Sequence, residues 1–219
     1  MQLALLDALP SAELAFDRAK RLELGSGAWV DWTPGWLPGH GALLARVLRA
    51  AAWERHRRVM YERMVEVPRL VAACPGDAPR APLPGHARIE RRAPRAAAAE
   101  VAAVRARLHE LADALGERFG RRLDRIQLAH YRDGQDAVAM HADHVGARRQ
   151  DSVVAVLSLG APRRFALRPT RGVAGRPRTF HVGEGDLLVM GGTCQATWEH
   201  GVPRMRSAGS RVAVMFREA

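Results

Sequence analysis

Residues 128–143 read Leu-Ala-His-Tyr-Arg-Asp-Gly-Gln-Asp-Ala-Val-Ala-Met-His-Ala-Asp, and the rest of the chain is organised around this stretch. It ends in the triplet His141-Ala142-Asp143. Side chains two positions apart in an extended strand point to the same face of a sheet. His141 and Asp143 can therefore reach one metal ion together from a single strand.

A metal held by this pair needs a third protein ligand, and His200, in the segment Thr197–Pro203, is the best candidate. Two histidines and one carboxylate on one face of a metal form the facial triad of non-haem iron oxygenases, which leaves positions open for co-substrate and oxygen. A His-x-Asp triplet also occurs by chance, with an ordinary surface histidine. The order His-x-Asp, distant His and then Arg211 on a later strand favours the metal site.

After residue 122 the sequence has the pattern of short strands separated by glycine-containing turns. The predicted strands are Leu123–Tyr131, Val153–Leu159, Phe165–Arg168, Thr179–Val182, Leu187–Met190, Thr197–Glu199 and Arg211–Phe216. Many short strands of this kind are typical of a sandwich or a jelly roll.

Before residue 123 the sequence contains two helical patterns and less regular segments. Residues 97–119 form the clearest predicted helix, with Gly120 as its C-cap. A second helix is predicted over residues 42–52, with Leu44, Val47, Leu48 and Ala51 on its apolar stripe. The other predictions are a strand at Ala28–Trp32, a strand-like stretch at Val59–Arg69, an N-terminal arm with short helical pieces at 1–27 and a surface loop at 75–96.

The chain is strongly basic, with a formal net charge of +11 over 219 residues. This excess of positive charge favours an anionic partner, of which nucleic acid is the commonest. Arginines near residues 55–58, 88–95 and 168–178 are the candidates for phosphate contacts. Because Lys20 is the only lysine, arginine-rich codon usage is the alternative explanation.

Cysteine usage and the N-terminus restrict the compartment. Cys74 and Cys194 are the only cysteines and fit neither a disulfide framework nor a zinc pattern, which favours a reducing environment. The first residues lack the features of a signal peptide, and no segment is long and apolar enough to span a bilayer. We therefore expect a cytoplasmic protein without a membrane partner. We also expect the protein to be a monomer.

Six short motifs follow one another in a fixed order. They are Tyr131–Gly134, His141–Asp143, Leu157–Phe165, Gly185–Met190, Trp198–Pro203 and Arg211–Arg217. Each is weak alone, but as an ordered set over roughly residues 55–217 they resemble the AlkB-like dioxygenases, which remove alkyl groups from damaged nucleobases. The resemblance implies an α+β fold, with a double-stranded β-helix (jelly roll) core and N-terminal helices packed on one sheet.

The resemblance also implies an Fe(II)/2-oxoglutarate-dependent dioxygenase that uses O2 to dealkylate bases such as 1-methyladenine and 3-methylcytosine. The co-products would be formaldehyde, succinate and carbon dioxide, and His141, Asp143 and His200 would be the metal-binding catalytic residues. Alkylated DNA is the first expected substrate and RNA the second. The implied organisation is an N-terminal arm and helix (1–54), a nucleotide-recognition segment with a loop and support helix (55–122) and a jelly-roll catalytic core (123–219), all in one compact domain.

The distal carboxylate of 2-oxoglutarate needs a cation, which arginine supplies through a bidentate fork. By strand alternation Arg211, Ala213, Met215 and Arg217 share one face, and two arginines on one strand face favour a functional role. The resemblance implies that Arg211 holds the C5 carboxylate, that Arg217 lies nearer the metal and that Tyr131 hydrogen-bonds the co-substrate. The alternative for Tyr131 is an ordinary strand aromatic.

Four residues are substrate-binding candidates by resemblance: Tyr61, Met60, Arg69 and His144. Some duplex-acting relatives fill the gap left by a flipped base with a side chain from the segment before a Val-Pro-Arg, and Tyr61 occupies that position here. A stacking side chain returns about 1–3 kcal/mol per base, which offsets part of a flipping cost of a few kcal/mol. The alternative is that Tyr61 belongs to the core of a half-buried strand.

The sequence departs from the family pattern at several polar positions. Ala129, Ala213 and Met215 stand where the pattern has polar residues, and His144 and Val145 stand where acidic residues usually follow the metal-binding aspartate. These departures affect substrate identity more than reaction class. Two other functions stay open: a 2-oxoglutarate oxygenase with a non-nucleic-acid substrate, and a non-catalytic nucleic-acid-binding β-barrel.

Overall fold

The structure is a computed structural model that describes residue 14 and residues 16–60, 62–78, 86–143 and 150–218. The helices are α1 (His40–Ala50), α2 (Ala98–Phe119) and the single turn α3 (Cys194–Thr197), and a 3-10 turn spans Phe16–Arg18. The strands are β1 (Lys20–Gly25), β2 (Ala28–Thr33), β3 (Glu54–Met60), β4 (Arg63–Glu66), β5 (Leu70–Ala73), β6 (His86–Arg91), β7 (Arg125–Tyr131), β8 (Val138–His141), β9 (Ser152–Gly160), β10 (Arg163–Pro169), β11 (Arg178–Val182), β12 (Leu187–Gly192), β13 (Trp198–Val202) and β14 (Arg211–Arg217).

The strands form two antiparallel sheets that face each other. The large sheet has ten strands in the order β1-β2-β12-β9-β14-β7-β5-β3-β4, with β6 also paired to β3. The small sheet has the order β11-β10-β13-β8. One hydrophobic cluster combines side chains of both sheets. The expected α+β fold with a double-stranded β-helix core is therefore confirmed.

Both faces of the large sheet are covered at its centre. Val154 and Val156 of β9 point between the sheets, whereas Val153, Ala155 and Leu157 point towards the helices. Side chains alternate along a strand, so a strand buried on both faces reads as a continuous apolar run. Polar groups on the inner face of this sheet are consequently enclosed between two layers.

The two long helices pack on the outer face of the large sheet, as expected. Helix α2 agrees with its predicted limits and ends at Gly120, whose φ of +64° is the left-handed conformation of a C-cap. Helix α1 is rotated from the predicted stripe, because Leu43, Val47 and Ala50 are its buried residues. Within the described ranges, no helix is long and apolar enough to cross a membrane.

Three predictions about the N-terminal half were wrong. The predicted arm contains β1, and the predicted loop at 75–96 contains β6. The stretch predicted as one strand-like element at Val59–Arg69 instead takes part in the β3–β4 hairpin, in which Val59 lies opposite Met64. These strands contain many exposed charged residues, and they are strands because they hydrogen-bond to a neighbouring strand, which the alternation of apolar residues does not reveal.

Candidate metal and co-substrate site

The small sheet brings the three predicted metal ligands together. His141 ends β8 and lies directly opposite His200 on β13, and Asp143 follows two residues after β8. Their ligand atoms all lie within 4.8 Å of one another. His141 Nε2 is 4.0 Å from Asp143 Oδ1, and His200 Nε2 is 3.8 Å from Asp143 Oδ2. This spacing places three ligand atoms around one point.

Both histidines are suited to bind a metal in their neutral form. His141 Nδ1 lies 2.8 Å from the Ala139 carbonyl oxygen, so this nitrogen carries the proton and Nε2 keeps its lone pair. Burial lowers the pKa of His200 to about 4 and also lowers the pKa of His141. At neutral pH no proton then competes with a cation for the two rings.

The carboxylate of Asp143 is ionised although it is buried. Burial acts to raise its pKa, but the positive charge of Arg217 shifts the pKa below its usual value. Arg217 Nη2 donates to Asp143 Oδ1 at 2.7 Å. Asp143 Oδ2 is buried and has no hydrogen-bond partner among the described residues. A carboxylate with one unpartnered oxygen and a neutral imidazole near each of its oxygens fits a divalent cation.

Aromatic packing fixes the plane of the second histidine. The ring of Phe165 on β10 stacks on His200, with centroids 5.4 Å apart and planes 11° apart. The centroids of His141 and His200 are separated by 4.4 Å. The motif containing Phe165 was recognised in the sequence, but its contact with His200 depends on the pairing of β10 with β13.

Arg211 forms a separate cationic position in the same inter-sheet space. Its guanidinium is fully buried, and Nη2 donates to Ser158 Oγ at 2.7 Å. Nε and Nη1 are buried without a hydrogen-bond partner among the described residues. Burial lowers its pKa to about 10, so Arg211 stays charged at neutral pH. A buried cation with two free donors fits a carboxylate such as the distal group of 2-oxoglutarate.

Tyr131 lies beside this cation, directly opposite Arg211 on β7. The Arg211 guanidinium carbon is 5.3 Å from the centre of the Tyr131 ring, and that of Arg163 is 5.5 Å away. Arg163 is fully buried and donates to the carbonyl oxygens of Asp133 and Asp136 at 2.6 Å each. Sequence reasoning did not identify Arg163, which holds the turn after Tyr131 against the barrel.

The other predicted site residues differ in where they lie, and two of them fall outside the described residues. Arg217 lies at the metal end of β14, where it also donates to Gln127 Oε1 at 3.0 Å. Arg69 is partly buried, and its Nη1 donates to the carbonyl oxygen of Ala137 at 3.4 Å, just before β8. Met60 is the last residue of β3. Tyr61 and His144 lie outside the described residues.

The departures from the family pattern are neighbours in the structure. Ala129 on β7 lies directly opposite Ala213 on β14, and Gln127 lies opposite Met215. Ala129 and Ala213 are buried in the inter-sheet cluster that contains Tyr131. Two methyl groups face each other in register, so the pairing leaves no buried side-chain polar atom unsatisfied at either alanine.

Comparison with known proteins identifies one family and several relatives. The family described as the 2OG-Fe(II) oxygenase superfamily matches residues 31–217. The chain is 27% identical over 113 residues to uncharacterized protein R406 of Acanthamoeba polyphaga mimivirus, which covers 51% of this chain and 58% of that protein. It is 31% identical over 124 residues to alpha-ketoglutarate-dependent dioxygenase alkB homolog 3 of Rattus norvegicus, covering 50% of this chain and 40% of that protein. The matched region thus spans less than two thirds of each relative.

Solved structures show the same fold at low sequence identity. An oxidoreductase of the 2OG-Fe(II) oxygenase family from Burkholderia pseudomallei aligns with a TM-score of 0.54 at 18% identity, covering 86% of this chain and 84% of that one. The protein named OsALKBH1 aligns with a TM-score of 0.50 at 14% identity, covering 92% and 100% of the two chains. These likenesses concern the fold.

The ion pair of Arg217 leads to different predictions for the metal-binding residues. Asp143→Ala should lower the melting temperature of the metal-free protein, because Arg217 would stay buried without its carboxylate, at a cost of roughly 3–5 kcal/mol. His141→Ala is the matched control, since its side chain is 39% exposed and the change should stay within about 0.5 kcal/mol. Both variants should lose Mn2+ binding, measured by titration. Equal melting temperatures would contradict the stabilising role of the pair.

Proposed function

The chain belongs to the 2OG-Fe(II) oxygenase superfamily, and from this premise we propose that it removes alkyl groups from N-alkylated nucleobases in nucleic acid, using Fe(II), 2-oxoglutarate and O2. The reaction class is supported by the convergence of His141, Asp143 and His200 in one barrel. The same barrel encloses Arg211, whose Nε and Nη1 have no hydrogen-bond partner among the described residues. The motif resemblance, the similarity to alkB homolog 3 and the net charge of +11 support a nucleic-acid substrate.

Each residue of the site has a distinct task in this proposal. When bound, Fe(II) would activate O2, one oxygen atom of which would oxidise the alkyl carbon while the other enters succinate as 2-oxoglutarate loses carbon dioxide. His141, Asp143 and His200 would hold the metal and leave coordination positions open for the co-substrate and oxygen. Arg211 holds the distal carboxylate of the co-substrate, and Arg217 keeps Asp143 ionised and oriented. An oxidised methyl group would then leave the base nitrogen as formaldehyde.

Ion pairing separates the arginines into two groups. Arg55 donates to Glu66 and Glu90, and Arg168 pairs with Glu199, so these cations are largely neutralised by neighbours. Glu54 similarly pairs with arginines 88 and 91. On the β3–β4 hairpin, Arg57 lies directly opposite Glu66, whereas arginines 58 and 63 form no ion pair with any described residue. We propose Arg58 and Arg63 as the phosphate contacts.

The decisive experiment measures all products on defined substrates. The protein is incubated with Fe(II), ascorbate, 2-oxoglutarate and oligonucleotides carrying 1-methyladenine or 3-methylcytosine, as DNA and RNA and as single and double strands. We expect succinate, formaldehyde and unmodified base in equal amounts by mass spectrometry, and no product with His200→Ala. Succinate without formaldehyde would indicate an oxygenase for another substrate. No succinate under any condition would indicate a non-catalytic binding barrel.

Arg211 should determine the requirement for the co-substrate. Arg211→Met removes charge-assisted hydrogen bonds worth roughly 1.5–3 kcal/mol, which corresponds to about a 10–100-fold higher half-saturating 2-oxoglutarate concentration. Arg164→Met is the matched control, because that side chain is exposed and donates to the Arg204 carbonyl oxygen. A steady-state titration of 2-oxoglutarate measures both variants. An unchanged requirement in Arg211→Met would remove this residue from the co-substrate site.

Arg58 should contribute to nucleic-acid binding through its charge. Glu54 lies opposite Val71, and Val71 lies opposite Ala129, whose side chain points between the two sheets. Because side chains alternate along a strand, Arg58 lies on the same inner face of the large sheet as Glu54. Arg58→Ala should reduce the slope of log affinity against log salt by about 0.9 on duplex DNA. Arg118→Ala on α2, at the outer face of the sheet, is the control of equal charge. The same reduction in both variants would show that only total charge matters.

A further inference from the structure

The metal-binding carboxylate belongs to a residue outside any regular element. Asp143 lies two residues beyond the end of β8, so no strand ladder fixes its backbone. Its side chain is held by Arg217 at 2.7 Å. Its backbone N–H donates to Gln195 Oε1 at 2.8 Å, in a hydrogen bond that is itself buried. Among the described residues, Gln195 therefore determines where the backbone of this metal ligand lies.

Gln195 is held in place by the elements around it. It is 1% exposed and lies in α3, the single turn that connects β12 to β13. Thr193, just before this turn, accepts from the Thr197 amide at 3.0 Å and donates its hydroxyl to the Ser26 carbonyl at 2.7 Å. The turn is thus tied to the β1–β2 connection. The next strand carries His200, so one short segment supports two predicted metal ligands.

Gln195, in α3, and Arg217, on β14, approach Asp143 from opposite ends of a row of residues across the large sheet. Arg217 on β14, Val154 on β9 and Met190 on β12 lie in one row across this sheet. Adjacent strands are about 4.8 Å apart, so roughly 10 Å separates the two ends of the row. Gln195 lies at the β12 end, where its Nε2 is 3.7 Å from the sulfur of Met190. Asp143 is consequently held by Arg217 at the β14 end of this row and by Gln195 at the β12 end.

We propose that Gln195 is a positioning residue for the metal centre, acting through the backbone of Asp143. A buried N–H without an acceptor is costly, so loss of the amide oxygen would displace this segment towards another partner. The carboxylate would then leave the position that it shares with His141 and His200. Partners that orient metal ligands typically affect metal affinity by 10–100-fold. The inference rests on the metal site proposed above.

The test measures metal affinity independently of turnover. Mn2+, as a redox-stable substitute for Fe(II), is titrated into the metal-free full chain, and free Mn2+ is measured by electron paramagnetic resonance. Gln195→Met keeps the side-chain length without an acceptor and should bind Mn2+ about 10–100-fold more weakly. Gln195→Glu keeps an acceptor oxygen and should recover most of that loss. Gln135→Met, at an exposed turn position, should bind like the wild type.

The possible outcomes separate this inference from the metal site itself. Wild-type affinity in Gln195→Met would overturn it, as would equal losses in Gln195→Met and Gln195→Glu, because packing alone would then matter. If Gln195→Met fails to fold, Gln195→Asn is measured instead. Its side chain is one methylene shorter, so the amide oxygen no longer reaches the Asp143 N–H, and Mn2+ binding should weaken. Unchanged binding in Gln195→Asn would also overturn it. A wild-type protein that does not bind Mn2+ would instead contradict the metal site.

Discussion

The buried ion pair between Arg217 and Asp143 is the constraint on which the site depends. Arg217 ends β14 at the centre of the large sheet, and Asp143 follows β8 at the edge of the small sheet, so the pair joins the two sheets. Removing two charges from water costs several kcal/mol per ion, which only close geometry offsets. Here the pair also keeps a buried carboxylate in the anionic form that a metal requires.

The C-terminal strand separates two functions along one face. If flat, seven residues span roughly 20 Å, so Arg211 and Arg217 serve different ends of the inter-sheet space. Arg217 uses both of its Nη atoms on protein groups at the metal end, whereas Arg211 keeps Nε and Nη1 without partners among the described residues. One end of the strand therefore supports the metal ligand, and the other is prepared for a small anion.

The space between these arginines is lined differently from the family pattern. Ala129 and Ala213 lie opposite each other on neighbouring strands, and both are buried. With methyl groups at these positions, neither side chain can form a hydrogen bond to a molecule bound between the sheets. Because both positions are apolar together, this pair adds no half-satisfied polar group to the core, which would be destabilising.

The sequence by itself determined the helix α2, the strands after residue 122 other than β8, and the residues that converge on the site, because these follow from periodicity and from the order of a few motifs. The strands β1 and β6, the rotation of α1 and the pairing of Arg55 with glutamates were decided only by the tertiary structure. The same holds for the contacts of Gln195 and Phe165. Gln195 meets Asp143 across 52 positions of sequence. Local patterns report which face of an element is apolar, whereas the partner of a buried polar group is set by how distant strands are paired.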